Sequence, residues 1–202
     1  MRKSIDLDPK DAEAHNNYGV TLQELGKLNE AELSYKKAIT LEPDYIEALN
    51  NLGITLKDLG KLTKSIEVFT KAILLNPNHA QSHYNLGIVL KLLGKFEEAE
   101  KSFNKALVIQ PDYPEAFNNL GNTLKEMGRL KDAIANYKNA IRLKSGYSKV
   151  YNNLGVTFQE LGKFQEAIAN YSQAITLQPD YAEAHRQLTL VKKYISKDKQ
   201  YL

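Results

Sequence analysis

The chain has no cysteine among its 202 residues. That excludes a disulfide framework, a thiolate zinc site and a cysteine nucleophile, and it suits a reducing, cytoplasmic setting. No apolar run is long enough to span a bilayer, and the opening Met1-Arg2-Lys3-Ser4-Ile5-Asp6 lacks the apolar segment of a secretory leader. A soluble chain without a membrane partner is expected. Charge of one sign is also scarce. The formal charge is +3, but Arg186, Lys192, Lys193, Lys197 and Lys199, opposed only by Asp198, all lie after residue 185, so the rest is close to neutral. Phosphate binding needs a basic stripe along the contact surface, so no nucleic-acid partner is expected. A glycine-rich phosphate loop and a nucleophile–base set are missing too, so no catalytic residue and no cofactor is expected, and the chain is not itself an enzyme.

Glycine is sparse as well, yet its placement is ordered. Ten of the 11 glycines fall at two positions of a 34-residue period: Gly19, Gly53, Gly87, Gly121 and Gly155, each followed seven residues later by Gly26, Gly60, Gly94, Gly128 and Gly162. A fixed period of this length predicts a solenoid, in which each unit is too small to bury its own apolar face and stacks on its neighbours. Full units are predicted at 12–45, 46–79, 80–113, 114–147 and 148–181, with 1–11 as the end of a truncated preceding repeat and 182–202 as a capping helix and basic tail. Within 46–79, Leu49, Leu52, Gly53, Leu56 and Leu59 share one helical face. Gly60 ends that helix, and Ser65, Ile66, Phe69, Ala72 and Ile73 form the face of a second helix that Pro77 terminates. An all-α stack of helical hairpins is therefore expected. Asp44 with Glu47, Asn78 with Gln81, Asp112 with Glu115 and Asp180 with Glu183 read as capping boxes. Ser145-Gly146 replaces the usual Pro-Asp or Pro-Asn, so that junction is expected to be the loosest. The closing helix is expected over 182 to about 195, with Leu188, Val191 and Ile195 inward and 197–202 fraying.

These residues resemble the tetratricopeptide repeat family over essentially the whole chain, through Leu-Gly in the first helix, glycine in the turn, Ala and Tyr or Phe in the second, and closes such as Ala174-Ile175-Thr176-Leu177-Gln178-Pro179. The family's usual tryptophan position carries His15, Leu49, His83, Phe117 and Tyr151. The resemblance implies a right-handed superhelix whose first helices line a concave groove that binds peptides or protein segments. A narrower resemblance is to the arrays of O-linked N-acetylglucosamine transferases, whose asparagine ladder holds the backbone of bound chains; the matching positions are Asn17, Asn51, Asn85, Asn119 and Asn153. The segment 182–193 looks like the exit from arrays of bacterial proteins that continue into a sulfotransferase domain. The lysine of the family's carboxylate clamp is replaced by Asn16, Asn50, Tyr84, Asn118 and Asn152, so that activity is not carried over.

The residues alone also show a polar stripe beside the core stripe of each first helix. Asparagine is roughly half a kcal/mol worse than alanine in a helix, so its recurrence has no local explanation. A carboxamide both donates and accepts and can pair with a peptide unit whatever its side chain. The candidate peptide-binding set is therefore Asn17, Asn51, Asn85, Asn119 and Asn153 with Asn16, Asn50, Tyr84, Asn118, Asn152 and Asn122. An apolar line of Val20, Ile54, Ile88 and Val156, enlarged by Tyr84 and Leu92, serves either ligand side chains or helix packing. The competing reading is that the asparagines bond water or a neighbouring turn. His79 and His83 stand at metal-binding spacing without a third ligand, so no metal is expected. A protein or peptide partner is expected for a monomer, with two alternatives: the recruiting arm of a glycosyltransferase or sulfotransferase, or a structural array that self-associates end to end.

Overall fold

The computed structural model describes residues 9–198, and these fold as helices joined by short turns, with no strand among the described residues. Two compact units divide the chain at Ile109/Gln110. Unit one contains three helical hairpins: α1 (Ala12–Glu24) with α2 (Leu28–Leu41), α3 (Ile46–Asp58) with α4 (Leu62–Leu75), and α5 (Ala80–Leu92) with α6 (Phe96–Ile109). Unit two contains α7 (Pro114–Glu126) with α8 (Leu130–Leu143), α9 (Ser148–Glu160) with α10 (Phe164–Leu177), and the closing α11 (Ala182–Asp198). Within each unit, the second helix of one hairpin packs on the first helix of the next.

The hairpin follows from the two glycine positions. At the turn, Gly60 has φ +72°, the left-handed conformation that a β-carbon disfavours. Its N–H donates to the Lys57 carbonyl at 2.9 Å and the Lys61 N–H to the Leu56 carbonyl at 2.8 Å, closing a Schellman motif that satisfies the last carbonyls of α3. The other glycine sets the spacing between the paired helices. A β-carbon on Gly53 would lie 2.5 Å from Cε1 of Phe69, a ring with no exposed surface. Tyr35, Phe103, Tyr137 and Tyr171 press on Gly19, Gly87, Gly121 and Gly155 in the same way. Ser65 stands where other hairpins have alanine, and its hydroxyl donates to the Gly53 carbonyl at 2.7 Å. In unit one the core between successive hairpins is built from Leu22, Ala31, Tyr35, Leu52 and Leu56.

Helix starts correct the expected capping boxes. The N-cap residues are Tyr45, His79, Tyr113 and Tyr147, and none makes a side-chain cap bond. Asp44, Asn78 and Asp112 therefore lie one residue outside the position a box requires. The boundary is set instead by a turn bond, such as Tyr45 N–H to the Glu42 carbonyl at 3.1 Å, with equivalents at His79 and Tyr181. Asp11 is a true side-chain cap and accepts from the Ala14 N–H at 2.9 Å. The Ser145-Gly146 junction closes with the same turn bond, from Tyr147 N–H to the Lys144 carbonyl at 3.2 Å. Lys144 also lies 4.7 Å from the Tyr147 ring centroid and 3.4 Å from Glu115. A different departure occurs at Tyr113, whose φ of −131° lies away from the helical conformation that the following Pro114 disfavours.

The closing helix buries Val191 against Ala167 and Tyr171, with Leu188 and Ile195 alongside. It continues to Asp198, about one turn past the expected end. Residues 1–8 and 199–202, including most of the expected partial repeat and the end of the tail, lie outside the described residues.

One ion pair ties the first hairpin to the second. Glu32 is 5% exposed, and its carboxylate lies 2.6 Å from Lys36 Nζ and 2.7 Å from Lys61 Nζ. Bonds from these two ammonium groups hold its carboxyl below the usual carboxylate range. A carboxyl whose pKa is lowered on folding stabilises the fold above its unfolded value near 4.5, and that stability is lost as pH falls through the folded value. Both lysines are substantially exposed, so solvent screening reduces the effect to about 1 kcal/mol, well below that of a fully buried pair. Glu32→Gln is expected to lower stability by about that amount at neutral pH. The gap between variant and parent should close in urea titrations below about pH 4; a gap that persists there would show that the ion pair is not its source.

Candidate functional site

The first helices carry two adjacent asparagine rows, and the structure gives them different tasks. Asn16, Asn50, Asn118 and Asn152 are 0%, 5%, 4% and 5% exposed. This burial places them inside the stack rather than on its surface. They bond within the stack: Asn51 Nδ2 donates to Asn16 Oδ1 at 3.0 Å, and Asn153 Nδ2 donates to Asn118 Oδ1 at 3.0 Å. An asparagine of one hairpin thus reaches back to the buried asparagine of the hairpin before it. Asn16 Nδ2 also donates to Glu47 Oε1 at 3.3 Å.

The pattern breaks where a neighbour is substituted. Asn50 would pair with Asn85, but the third hairpin has Ser82 where Ala14, Ala48, Ala116 and Ala184 stand elsewhere. Ser82 Oγ donates to Asn50 Oδ1 at 3.1 Å and accepts from Asn50 Nδ2 at 2.9 Å, with His79 Nδ1 2.8 Å from the same hydroxyl. Asn85, 6% exposed, is left with an Nδ2 that has no partner among the described residues, while its Oδ1 accepts from Gln81 at 3.2 Å. At the far end, Gln187 occupies the next position of the row and bonds Glu183 Oε1 at 2.7 Å, so Asn152 Oδ1 has no partner among the described residues.

The five candidate ladder residues are therefore not equivalent. Asn17 is exposed, Asn51, Asn119 and Asn153 are half-buried, and Asn85 is buried. On Asn51 and Asn153 the Nδ2 is committed to the preceding hairpin, and Oδ1 makes no hydrogen bond among the described residues. Asn51 also lines a hollow of about 370 Å³ with Val20, Gln23, Glu24 and Tyr35. A second hollow of about 390 Å³, in unit two, is lined by residues 128–132 and Leu161 at helix ends and contains none of the candidate residues. The first is the relevant one because it brings candidate residues together.

Asn122, which interrupts the apolar line, has a packing explanation that the sequence reading missed. Its Oδ1 accepts from Tyr137 Oη at 2.8 Å and from Asn153 Nδ2 at 3.1 Å. Tyr35 and Tyr171 instead donate to Gln23 at 3.0 Å and Gln159 at 2.8 Å. Those glutamine positions become Lys57 and Lys91 where the aromatic is Phe69 or Phe103, and Lys125 at the fourth, so Asn122 supplies the acceptor there. A tyrosine facing an amide on the paired helix was the available signal. Burial raises the Tyr35 hydroxyl to about 12 and pushes Tyr137 and Tyr171 up as well, so all three remain neutral donors. Val20 and Val156 pack against the core clusters, and Ile54 and Ile88 are half-buried. The charges beside the stripe are paired, Lys57 with Asp58 at 3.0 Å and Lys125 with Glu160 at 3.4 Å.

The histidines serve the turns. His83 Nε2 lies 3.0 Å from the Pro77 carbonyl, and His15 and His185 meet Pro9 and Pro179 alike. Among the described residues no group of three side chains could hold a metal. No helix of the described residues is long and apolar enough to cross a membrane.

Helical hairpins repeated on one set of contacts define an α-solenoid. Tetratricopeptide repeat models match residues 44–112 and 79–146, and further models of that family match 1–32, 23–60 and 148–181. The chain belongs to the tetratricopeptide repeat family, a class of protein-interaction modules. Among solved structures it is similar to YrrB, described as a tetratricopeptide repeat protein with an unusual peptide-binding site, at 24% identity over 92% of this chain and 95% of that one, TM-score 0.71. MamA is similar at 26% identity, covering 82% and 96%, TM-score 0.74. Pseudomonas aeruginosa PilF is similar at 18% identity, covering 93% and 86%, TM-score 0.82. No curated protein sequence matches.

Proposed function

We infer that the chain binds an extended segment of a partner protein along its first helices, and that the contact to the ligand backbone is made by carboxamide oxygens. The carrying observation is the state of Asn51: one N–H of its amide donates to Asn16, its oxygen makes no hydrogen bond among the described residues, and it lines the hollow with Val20, Gln23, Glu24 and Tyr35. Asn153 repeats the bond to the preceding hairpin in unit two. Because a bond from Nδ2 to the preceding hairpin holds the amide plane, each such carboxamide offers an acceptor of fixed orientation, which suits a peptide N–H. With packed helices about 10 Å apart and an extended chain rising about 3.3 Å per residue, the carboxamides of neighbouring hairpins within unit one, Asn17 and Asn51, would meet ligand residues roughly three apart. Asn17 extends the row in unit one, and Ile54 and Ile88 offer apolar contact beside it.

A peptide selected for binding from a random display library provides the probe. Asn51→Ala with Asn153→Ala is expected to weaken that peptide at least about tenfold while helicity is retained. N-methylation of the peptide at every third backbone nitrogen should do the same to the parent array, because it removes the donors that the oxygens need. Unchanged affinity in both experiments would sink the reading.

A further inference from the structure

We propose that the outward face of α4 and α6 is a second docking surface, for an acidic segment of a partner protein that also carries apolar side chains. The 34-residue period supplies an internal comparison. Thr40, Leu74, Val108, Arg142 and Thr176 occupy the same place on successive second helices. Three are polar, whereas Leu74 and Val108, on adjacent hairpins of unit one, are 77% and 74% exposed, with Leu75 beside them at 43%. Single exposed aliphatics are ordinary, but two at one register position on neighbouring helices form a patch that hairpin packing does not require.

The charge around the patch identifies the occupant. Lys71 and Lys105 lie one turn before Leu74 and Val108, both exposed, and Lys101 lies a further turn back on α6. None of the three makes an ion pair or hydrogen bond among the described residues. The acids on the same faces are Glu67 on α4 and Glu97, one turn before Lys101, on α6. The corresponding lysine position in unit two carries Asn139 and Gln173, so the basic row belongs to unit one.

Three other occupants fit less well. A second copy of the same face would set lysine against lysine. A phosphate backbone would leave the apolar centre uncovered. A membrane gains about 1 kcal/mol per lysine near an anionic surface, so three lysines and a few aliphatics without an aromatic anchor fall short of stable attachment. An acidic segment with leucine- or phenylalanine-type side chains satisfies both components.

The test uses a fluorescein-labelled synthetic peptide of about 14 residues built from Glu, Leu and Phe at amphipathic-helix spacing, titrated against the full chain. Leu74→Thr with Val108→Thr installs the residue that Thr40 and Thr176 already supply at this position, so the fold is retained. Binding is expected to weaken at least about tenfold in that variant and again in Lys71→Glu with Lys105→Glu, while Asn51→Ala with Asn153→Ala leaves it unchanged. Absence of binding by the parent chain, equal binding by either face variant, or preferential capture on phosphatidylserine vesicles would overturn the proposal.

Discussion

Replacing Gly53 with alanine is expected to lower the stability of the array by about 2 kcal/mol, measured by urea titration. The added β-carbon would sit 2.5 Å from Cε1 and 2.6 Å from Cζ of Phe69. No compact structure tolerates such distances unless the ring moves, and the Phe69 ring is fully buried. Overpacking a core in this way costs about 1–3 kcal/mol, and the clash here is at the upper end. Alanine recovers up to about 1 kcal/mol of helix propensity, which leaves a clear net loss. Gly60→Ala is the comparison: nothing lies within 4 Å of its added carbon, so its cost is the strained φ of +72° alone, about 1 kcal/mol. Trimming the ring with Phe69→Leu in the Gly53→Ala background should restore part of the loss. A neutral Gly53→Ala would show that the helices separate more easily than the packing implies.

Asn50→Ala is expected to cost about 2 kcal/mol, because it removes the centre of a buried polar set and leaves the Ser82 hydroxyl without its acceptor. Asn50 also donates to the Ile46 carbonyl at 3.0 Å, so the change frees a second group. Adding Ser82→Ala returns the position to the alanine used in other hairpins, and the double-mutant cycle should show coupling of about 1 kcal/mol. Purely additive losses would mean that the two side chains do not act together. Burial, and then the neighbouring His83, hold the His79 imidazole below its ordinary value of 6.5. A histidine of this kind stabilises the fold while neutral, so its contribution is present above pH 6.5 and declines as pH falls below it.

The hairpin was legible because two glycines and one aromatic recur at fixed positions, and each demands one geometry. Gly60 must close the turn, and Gly53 must admit Phe69. The capping boxes misled because residue identity at Asp44 and Glu47 matches a box, while the turn bond at Tyr45 moves the helix start by one residue. A motif of short polar residues cannot resolve a shift that small. The asparagines were legible as a stripe but not as two rows. Asn50 and Asn51 are adjacent in sequence and about 100° apart around the helix, so one enters the seam between hairpins and the other stands at its edge. Only the partner across the seam separates them, and that partner lies one period away. The swap of Asn85 for Ser82 as the partner of Asn50 depends on a single methyl-to-hydroxymethyl change, which periodicity averages out.

The Gly53–Phe69 contact lies inside one hairpin, whereas the Asn50–Ser82 and Asn51–Asn16 bonds lie between hairpins. In a linear array the first kind sets how stable each link is and the second how strongly links melt together. Weakening Gly53 therefore shifts a single melting transition, while weakening the asparagine seam broadens it and lets end hairpins open independently. The seam at Asn152, where Gln187 turns away and leaves the oxygen unbonded, is the place in unit two where such independent opening would begin.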